Sequence, residues 1–360
     1  MTSRHLPQLS GTILNMSAFA NLVITWQNLH GRHDLPWQNT RDPYAIWISE
    51  IMLQQTQVTA VISYYQKFMQ RFPALSSLAE ADQDEVMQLW SGLGYYSRAR
   101  NLHKAAQIIR DAHAGQFPSD FEAIQQLPGI GRSTAAAISS FAFDIPQPIL
   151  DGNVKRVFAR HFLVEGWPGL PKVEKQLWHL AEQLMPANSM VAYTQGLMDL
   201  GATLCTRSKP RCDDCPLQQT CGAYAENRVK QLPSSKPRKV MPEKSVTMLL
   251  LMQGDELLLE KRPPSGIWGG LWSLPEVTDG EDIQLMAREQ YGCETELLVP
   301  LPVLSHAFTH FKLHITPQPL RILQYLHAAK QSAVVFLNRE DAIGAALPTP
   351  IRSILKSLSK

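Results

Sequence analysis

Four of the five cysteines, Cys205, Cys212, Cys215 and Cys221, fall within seventeen residues and read C-x6-C-x2-C-x5-C. Four thiolates on one short loop suit either a tetrahedral structural zinc or a [4Fe–4S] cluster, and spacing alone does not separate them. Arg207, Lys209 and Arg211 crowd the same stretch. Their charge would offset that of a cluster or face a phosphate backbone. Cys293 stands alone and reads as a single thiol.

Two carboxylates invite a second chemistry. Glu50 sits in the apolar run Ala45 to Leu53, where desolvation would raise its pKa and hold a proton near neutrality. Its bland reading is a helix-surface Glu paired with a cation. Asp151 lies between Ile149-Leu150 and Gly152-Asn153, at a loop-to-helix junction. There it caps a helix, and the amides of that cap would keep it ionised. A protonated and an ionised carboxyl together can divide acid and cation-stabilising work, as in glycoside hydrolysis.

The run Leu127-Pro128-Gly129-Ile130-Gly131-Arg132-Ser133-Thr134-Ala135 offers a third feature. Gly129 and Gly131 permit a tight hairpin whose amides open at the start of the next helix, able to hold a phosphate without reading sequence. Arg132 adds a charge. An ordinary helix connector would look the same locally.

The elements that position these residues differ along the chain. Of 360 residues, 44% are apolar and 18% charged, which excludes wholesale disorder and favours two domains. Formal charge is only +2, so a histone-like positive blanket is excluded, although a local basic groove is not. No apolar run is long enough to cross a membrane, and Met1 to Met16 shows no leader pattern. The expectation is a soluble, cytoplasmic monomer. Apolar spacings of three and four predict helices over 18–29, 44–72, 84–93, 101–113 and 173–185. Residues 226–245 carry six basic against two acidic side chains with three prolines, and read as a linker. Beyond it, 246–252 and 256–261 read as strands around a turn at Gln253-Gly254-Asp255.

Taken in order, the hairpin, the Asp151 segment and the cysteine loop resemble the helix–hairpin–helix DNA glycosylases. Ser49-Glu50-Ile51-Met52-Leu53-Gln54-Gln55-Thr56-Gln57-Val58 and Gly92-Leu93-Gly94-Tyr95-Tyr96 narrow the resemblance to the adenine-specific MutY family. It implies a multidomain fold: an all-α glycosylase core with an iron–sulfur domain (16–225), then the linker, then an α+β Nudix-like domain (246–360). It implies a [4Fe–4S] cluster rather than zinc. It also implies that Glu50 protonates adenine and helps activate water, while Asp151 stabilises an oxocarbenium-like sugar. The implied partner is double-stranded DNA bearing adenine opposite 8-oxoguanine or guanine, in the nucleoid of a bacterial cytoplasm.

Further residues carry over one by one. Leu93 and Tyr95 suit a wedge that fills the space left by an extruded nucleotide. Gln54, Gln55 and Thr56 suit base edges, and in the family Gln55 and Thr56 lie near the base opposite the adenine. Trp37 resembles the family's pocket residue beside that adenine, and Gln195 is placed near it. Gly129, Gly131, Arg132, Ser133, Asn153 and Lys155 are expected to contact DNA. Where the endonuclease III type has a lysine whose amine forms a Schiff base, Ser133 stands, which predicts an enzyme without strong strand cleavage. Gly270 and Glu276 keep the Nudix start, but Arg288-Glu289-Gln290-Tyr291-Gly292 lacks the paired glutamates that bind magnesium. Recognition is thus expected in place of hydrolysis. Phe308-Thr309-His310 matches the family's Phe-Ser-His loop, which recognises 8-oxoguanine, with Thr for Ser. Three rivals remain: an oxidised-pyrimidine glycosylase-lyase, a non-catalytic redox-sensitive DNA-binding protein, and a nucleotide pyrophosphatase.

Overall fold

The computed structural model describes residues 10–237, 240–277, 280–326 and 333–358, with side chains from Ser17 onward. The chain forms two units, Met1–Met69 with Gln107–Arg238 and Gln70–Ala106 with Lys239–Lys360. No helix among the described residues is long and apolar enough to cross a membrane.

The helical stretches, in chain order, are α1 (Ser10–His30), α2 (Pro43–Leu53), α3 (Val58–Arg71), α4 (Leu75–Glu80), α5 (Gln83–Trp90) and α6 (Ser97–Ala112). Then come α7 (Phe121–Gln126), α8 (Arg132–Phe143), α9 (Gly152–His161), α10 (Pro171–Gln183), α11 (Met190–Asp199) and α12 (Gly222–Ala225). Local chemistry sets the ends of α2. Asp42 accepts from the Tyr44 amide at 3.0 Å, and Pro43 takes the first turn. The helix stops at Gln54 because Gln55 turns left-handed, with φ of +58°. The continuous periodicity read over 44–72 is therefore two helices, α2 and α3. Periodicity cannot register one residue that reverses the chain.

In the first unit, Phe19 and Val23 of α1 pack with Ala136 of α8, Phe158 of α9, Leu177 of α10 and Leu197 of α11. Fully burying a side chain of the Phe158 or Leu197 type is worth about 1.5–3 kcal/mol. After Asp199, α11 runs on as a π turn, Leu200–Leu204, and Cys205 N–H closes it on Leu200 O at 2.7 Å. Such turns displace a helix just where a site begins. Here the cysteine loop follows at once.

The second unit is built on a mixed sheet whose strands among the described residues are β1 (Glu243–Gln253), β2 (Glu256–Lys261), β3 (Trp272–Ser273), β4 (Glu276–Val277), β5 (Cys293–Leu297), β6 (Leu304–Ala307), β7 (Lys312–Tyr325) and β8 (Val334–Asn338). Five of them run in the order β3-β2-β1-β7-β5, with β4 pairing β1, β6 pairing β7 and β8 pairing β2. β1 and β7 pair in parallel from Glu243↔Lys312 to Met252↔Arg321. The same stretch of chain carries α13 (Ile283–Tyr291), α14 (Arg339–Gly344) and α15 (Thr349–Ser357). Ala287 and Tyr291 of α13 seal Leu249, Leu251 and Leu320. Cys293 is fully buried in that core, a small apolar filler.

Two boundaries differ from the sequence reading. β1 begins at Glu243, inside the stretch read as linker, because register with β7 extends the strand past its apolar part. Residues 70–106 group with the sheet instead of with the helical core. Gln88 Nε2 donates to Gly344 O at 2.7 Å, Ser91 Oγ to Leu347 O at 2.8 Å, and Lys261 pairs with Asp84 at 2.5 Å. Such long-range polar partners leave no local trace in a sequence.

Candidate active site and recognition cleft

A cavity of about 490 Å³ in the first unit is lined by Glu50, Trp37, Gln38, Arg32, Gln195 and their neighbours. Glu50 projects from α2, whose other side chains from Tyr44 to Met52 are buried. Burial pushes its carboxyl up from 4.5 to about 8, and the charge of Asp151 adds to the rise. At neutral pH Glu50 thus holds a proton.

Asp151 caps α9, as expected, accepting from the Val154 amide at 2.7 Å and from Asn153 Nδ2 at 3.1 Å. Burial works against the charge-holding effect of that cap. The Asp151 pKa is also raised, burial outweighing the hydrogen bonds from Val154 and Asn153 and the charge of Arg156. The two carboxyls titrate as a coupled pair, and the charge of Asp151 is part of what holds the proton on Glu50. Trp37 is buried edge-on to Tyr65, ring centres 5.3 Å apart.

The hairpin lies beside this pair. Gly129 has φ of +82°, a conformation that costs glycine nothing, and Gly131 is exposed. Ser133 Oγ donates to Leu150 O at 2.8 Å, next to Asp151, so this position presents a hydroxyl and no amine. Gln54 Nε2 reaches Thr134 Oγ1 at 3.2 Å, which joins α2 to the hairpin. Gln55 is exposed, and Thr56 Oγ1 donates back to Gln54 O at 3.3 Å. The two cations expected on phosphate are held by acids of α10: Arg132 by Glu182 at 2.7 Å, Lys155 by Glu174 at 2.5 Å. Arg132 also lies 3.9 Å over the Trp178 ring.

The four clustered cysteines line one small cavity together with Arg160 and Arg211. Arg160 is buried and donates to Cys205 Sγ at 3.2 Å and to Thr206 O at 2.8 Å. Burial and the neighbouring sulfurs raise the thiol pKa values of Cys212, Cys215 and Cys221, that of Cys215 to about 12. Four thiolates here therefore need a compensating cation, the demand that a metal centre meets. Among the described residues, no group of three or more His, Cys, Asp or Glu side chains is close enough to hold one metal ion.

The second unit has its own cleft, of about 440 Å³, lined by Tyr95, Arg100, Trp268, His306, Phe308 and His310 among others. The two wedge candidates part company here. Leu93 is 8% exposed, whereas Tyr95 is 43% exposed with φ of +49°. Arg98 supports that turn, donating to Gly94 O at 3.1 Å with its guanidinium 5.5 Å from the Tyr95 ring. Opposite, Phe308 stacks on Phe311 at 4.6 Å, and its amide bonds to Phe311 O at 2.8 Å. The stack leaves Thr309 and His310 exposed at the tip. His314 bonds to Ser305 and Glu243, both at 2.8 Å. Glu276 is taken by Arg262 at 2.8 Å and Glu260 by the Tyr291 hydroxyl at 2.6 Å.

Three residues are given no role by sequence reasoning: Arg32, Asp199 and Trp268. Arg32 and Asp199 meet across 167 positions of chain. Trp268, buried beside Phe308 at 5.5 Å, stands in a glycine-rich run whose left-handed turn (φ of +56°) has no sequence signature.

Comparison with known proteins places this geometry. The HhH-GPD superfamily base excision DNA repair protein family matches residues 48–183, and the NUDIX domain family matches residues 246–357. A solved thermostable thymine-DNA glycosylase is similar to 60% of this chain over 100% of its own, at 32% identity and a TM-score of 0.55. The molecule is thus a helix–hairpin–helix base-excision glycosylase carrying a Nudix-like domain. An adenine DNA glycosylase of Buchnera aphidicola is 38% identical over 347 residues, covering 95% of this chain and 98% of its own. That of Mus musculus is 34% identical over 413 residues, covering 97% and 79%. The chain belongs to the adenine DNA glycosylase, or MutY, family. It is an enzyme of base excision repair acting on adenine in DNA.

Proposed function

We propose that the chain hydrolyses the glycosidic bond of adenine mispaired with 8-oxoguanine, and more weakly with guanine, without cleaving the strand. The observation that carries this reading is Glu50, which lines the cavity with its carboxyl pushed up to about 8 by burial and by the charge of Asp151. Glu50 donates its proton to a ring nitrogen of the flipped adenine. The bond from sugar C1′ to the base then breaks, and its electron pair leaves with the base. Asp151, whose charge helps hold the proton on Glu50, faces the cationic sugar and stabilises it. Water adds to C1′ and returns a proton to Glu50, which completes hydrolysis. Ser133 offers no amine for a Schiff base, so the abasic product keeps its strand.

Cys205, Cys212, Cys215 and Cys221 are the residues that would hold a [4Fe–4S] cluster. A cluster held there would balance the four thiolates and cross-link the loop that carries Arg207, Lys209 and Arg211. The hairpin backbone with Arg132, and Asn153 with Lys155, suit the phosphate track, where DNA must displace Glu182 and Glu174. Phe308, Thr309, His310 and Tyr95 share one cleft, which supports recognition of the base opposite adenine. The ion pair Arg262–Glu276 and the degenerate Nudix helix favour this over pyrophosphate hydrolysis.

Single-turnover excision tests the reading on duplexes with adenine opposite 8-oxoguanine, guanine or thymine, and on thymine glycol. Cleavage at adenine opposite 8-oxoguanine that needs alkali, and its absence opposite thymine, is the expected result. Thymine glycol cleaved without alkali, or a borohydride-trapped adduct, would move the chain to the lyase branch.

A further inference from the structure

We infer that Asp199 is a positioning residue that makes the cavity prefer a 6-amino over a 6-oxo purine by fixing the polarity of the Gln195 amide. The inference rests on the adenine pocket proposed above and deepens it. Asp199 is fully buried at the end of α11 and does not line the cavity; it stands behind two residues that do, Arg32 and Gln195.

The bonds are specific. Asp199 Oδ2 accepts the Arg32 backbone N–H at 2.8 Å. Oδ1 accepts Arg32 Nε at 2.8 Å and Nη2 at 2.6 Å, and also Gln195 Nε2 at 2.8 Å. A guanidinium never gives up its charge under working conditions, so its partner is a carboxylate, and a carboxylate only accepts. Gln195 must therefore turn its NH2 to Asp199. Its carbonyl oxygen, at the other end of the same planar group, is left for the cavity. An amide on a surface swings either way; this one is held in one sense by a neighbour that cannot donate.

Arg32 and Gln38 bring donors to other parts of the lining, but at Gln195 the wall presents an acceptor, and a 6-substituent seated against it is discriminated. Adenine offers an N–H donor there and pairs with it. Hypoxanthine offers a second acceptor, so two buried oxygens face each other unpaired, a mismatch worth about a hundredfold. The same Arg32 bonds tie down the start of the segment that carries Trp37, so one buried charge orders two parts of the pocket.

The test compares adenine, hypoxanthine and unsubstituted purine, each opposite 8-oxoguanine, with the full-length protein. In Asp199→Asn a donor replaces one acceptor oxygen, and the Gln195 amide can reverse. The adenine-to-hypoxanthine ratio in kcat/KM is expected to fall at least tenfold, as adenine slows and hypoxanthine does not. Equal slowing of all three substrates, with the ratio unchanged, is what a merely structural ion pair gives, and it would overturn the inference. Gln195→Leu leaves the Arg32–Asp199 bonds intact and is expected to lose the same preference. If Gln195→Leu keeps the preference, the pocket reading of Gln195 itself fails. If only Gln195→Leu loses it while folded Asp199→Asn does not, the role of Asp199 fails alone. Should Asp199→Asn not fold, the unmodified protein still decides. Its Gln195 side-chain NH2, assigned by its loss in Gln195→Leu, is expected to exchange with solvent far more slowly than a free amide. Exchange at the free-amide rate would sink the inference.

Discussion

In the first unit the reactive side chains face inward. Glu50 is held protonated to about pH 8 by burial, and Asp199 is a fully buried charge behind the cavity wall. In the second unit the recognition residues face outward. Tyr95 is 43% exposed, and Thr309 and His310 sit at the tip of an exposed turn over stacked Phe308 and Phe311. The contrast follows from what each site must do. Proton transfer needs a carboxyl whose pKa has been moved, and only desolvation and a neighbouring charge move it that far. Reading a base needs flat, stiff surfaces presented to a partner that arrives from solvent, so aromatic rings are packed underneath and polar tips are left free.

Substitutions that touch one region and spare the other sharpen this contrast. The largest effect is expected from Asp151→Asn, which keeps an oxygen for the Val154 amide and removes the charge. Single-turnover excision should drop about 10³-fold with DNA affinity retained. A drop in affinity instead would make Asp151 a binding residue. Next comes Cys212→Ser, for which iron content and visible absorbance should be lost and the melting temperature should fall by several degrees. Iron retained at full stoichiometry would remove Cys212 from the ligand set.

Effects in the recognition cleft should be smaller and selective. Phe308→Ala is expected to lower the preference for 8-oxoguanine over guanine opposite adenine about tenfold, the scale of one lost stacking contact. Excision opposite guanine should be nearly unchanged, as measured on the same duplex pair. An equal loss on both duplexes would erase the distinction between the regions. Smallest is Arg132→Ala, expected to weaken duplex binding about two- to fivefold and to lower the salt slope by about one. The effect is modest because Glu182 already competes for that guanidinium.

How much of this was legible in the sequence depended on how local the cause is. The cysteine loop, the Gly129–Gly131 hairpin and the apolar setting of Glu50 are local patterns, and each was readable. So was the Asp151 cap, because N-capping joins neighbours in sequence. The sign of the Asp151 shift was not, since it depends on everything packed around the carboxyl. Nor were Arg32 and Asp199, a pair that exists only once α1 and α11 meet. The break between α2 and α3 rests on one left-handed residue, Gln55, with no glycine to announce it. The grouping of 70–106 with the sheet rests on bonds from Asp84, Gln88 and Ser91 to partners far along the chain.

The central claim is that Glu50 supplies the proton, and the pH dependence of single-turnover excision tests it most directly. The carboxyl's folded pKa lies at about 8 against an ordinary 4.5, so the proton is present through neutrality and is lost as pH climbs through the folded value. Opposite 8-oxoguanine, the rate is expected to hold up to about pH 7 and fall tenfold per unit above about pH 8. Glu50→Gln should be slow at every pH and lack that limb. A wild-type rate that keeps its level past pH 9, or a Glu50→Gln protein that excises adenine with the same alkaline limb, would contradict the account.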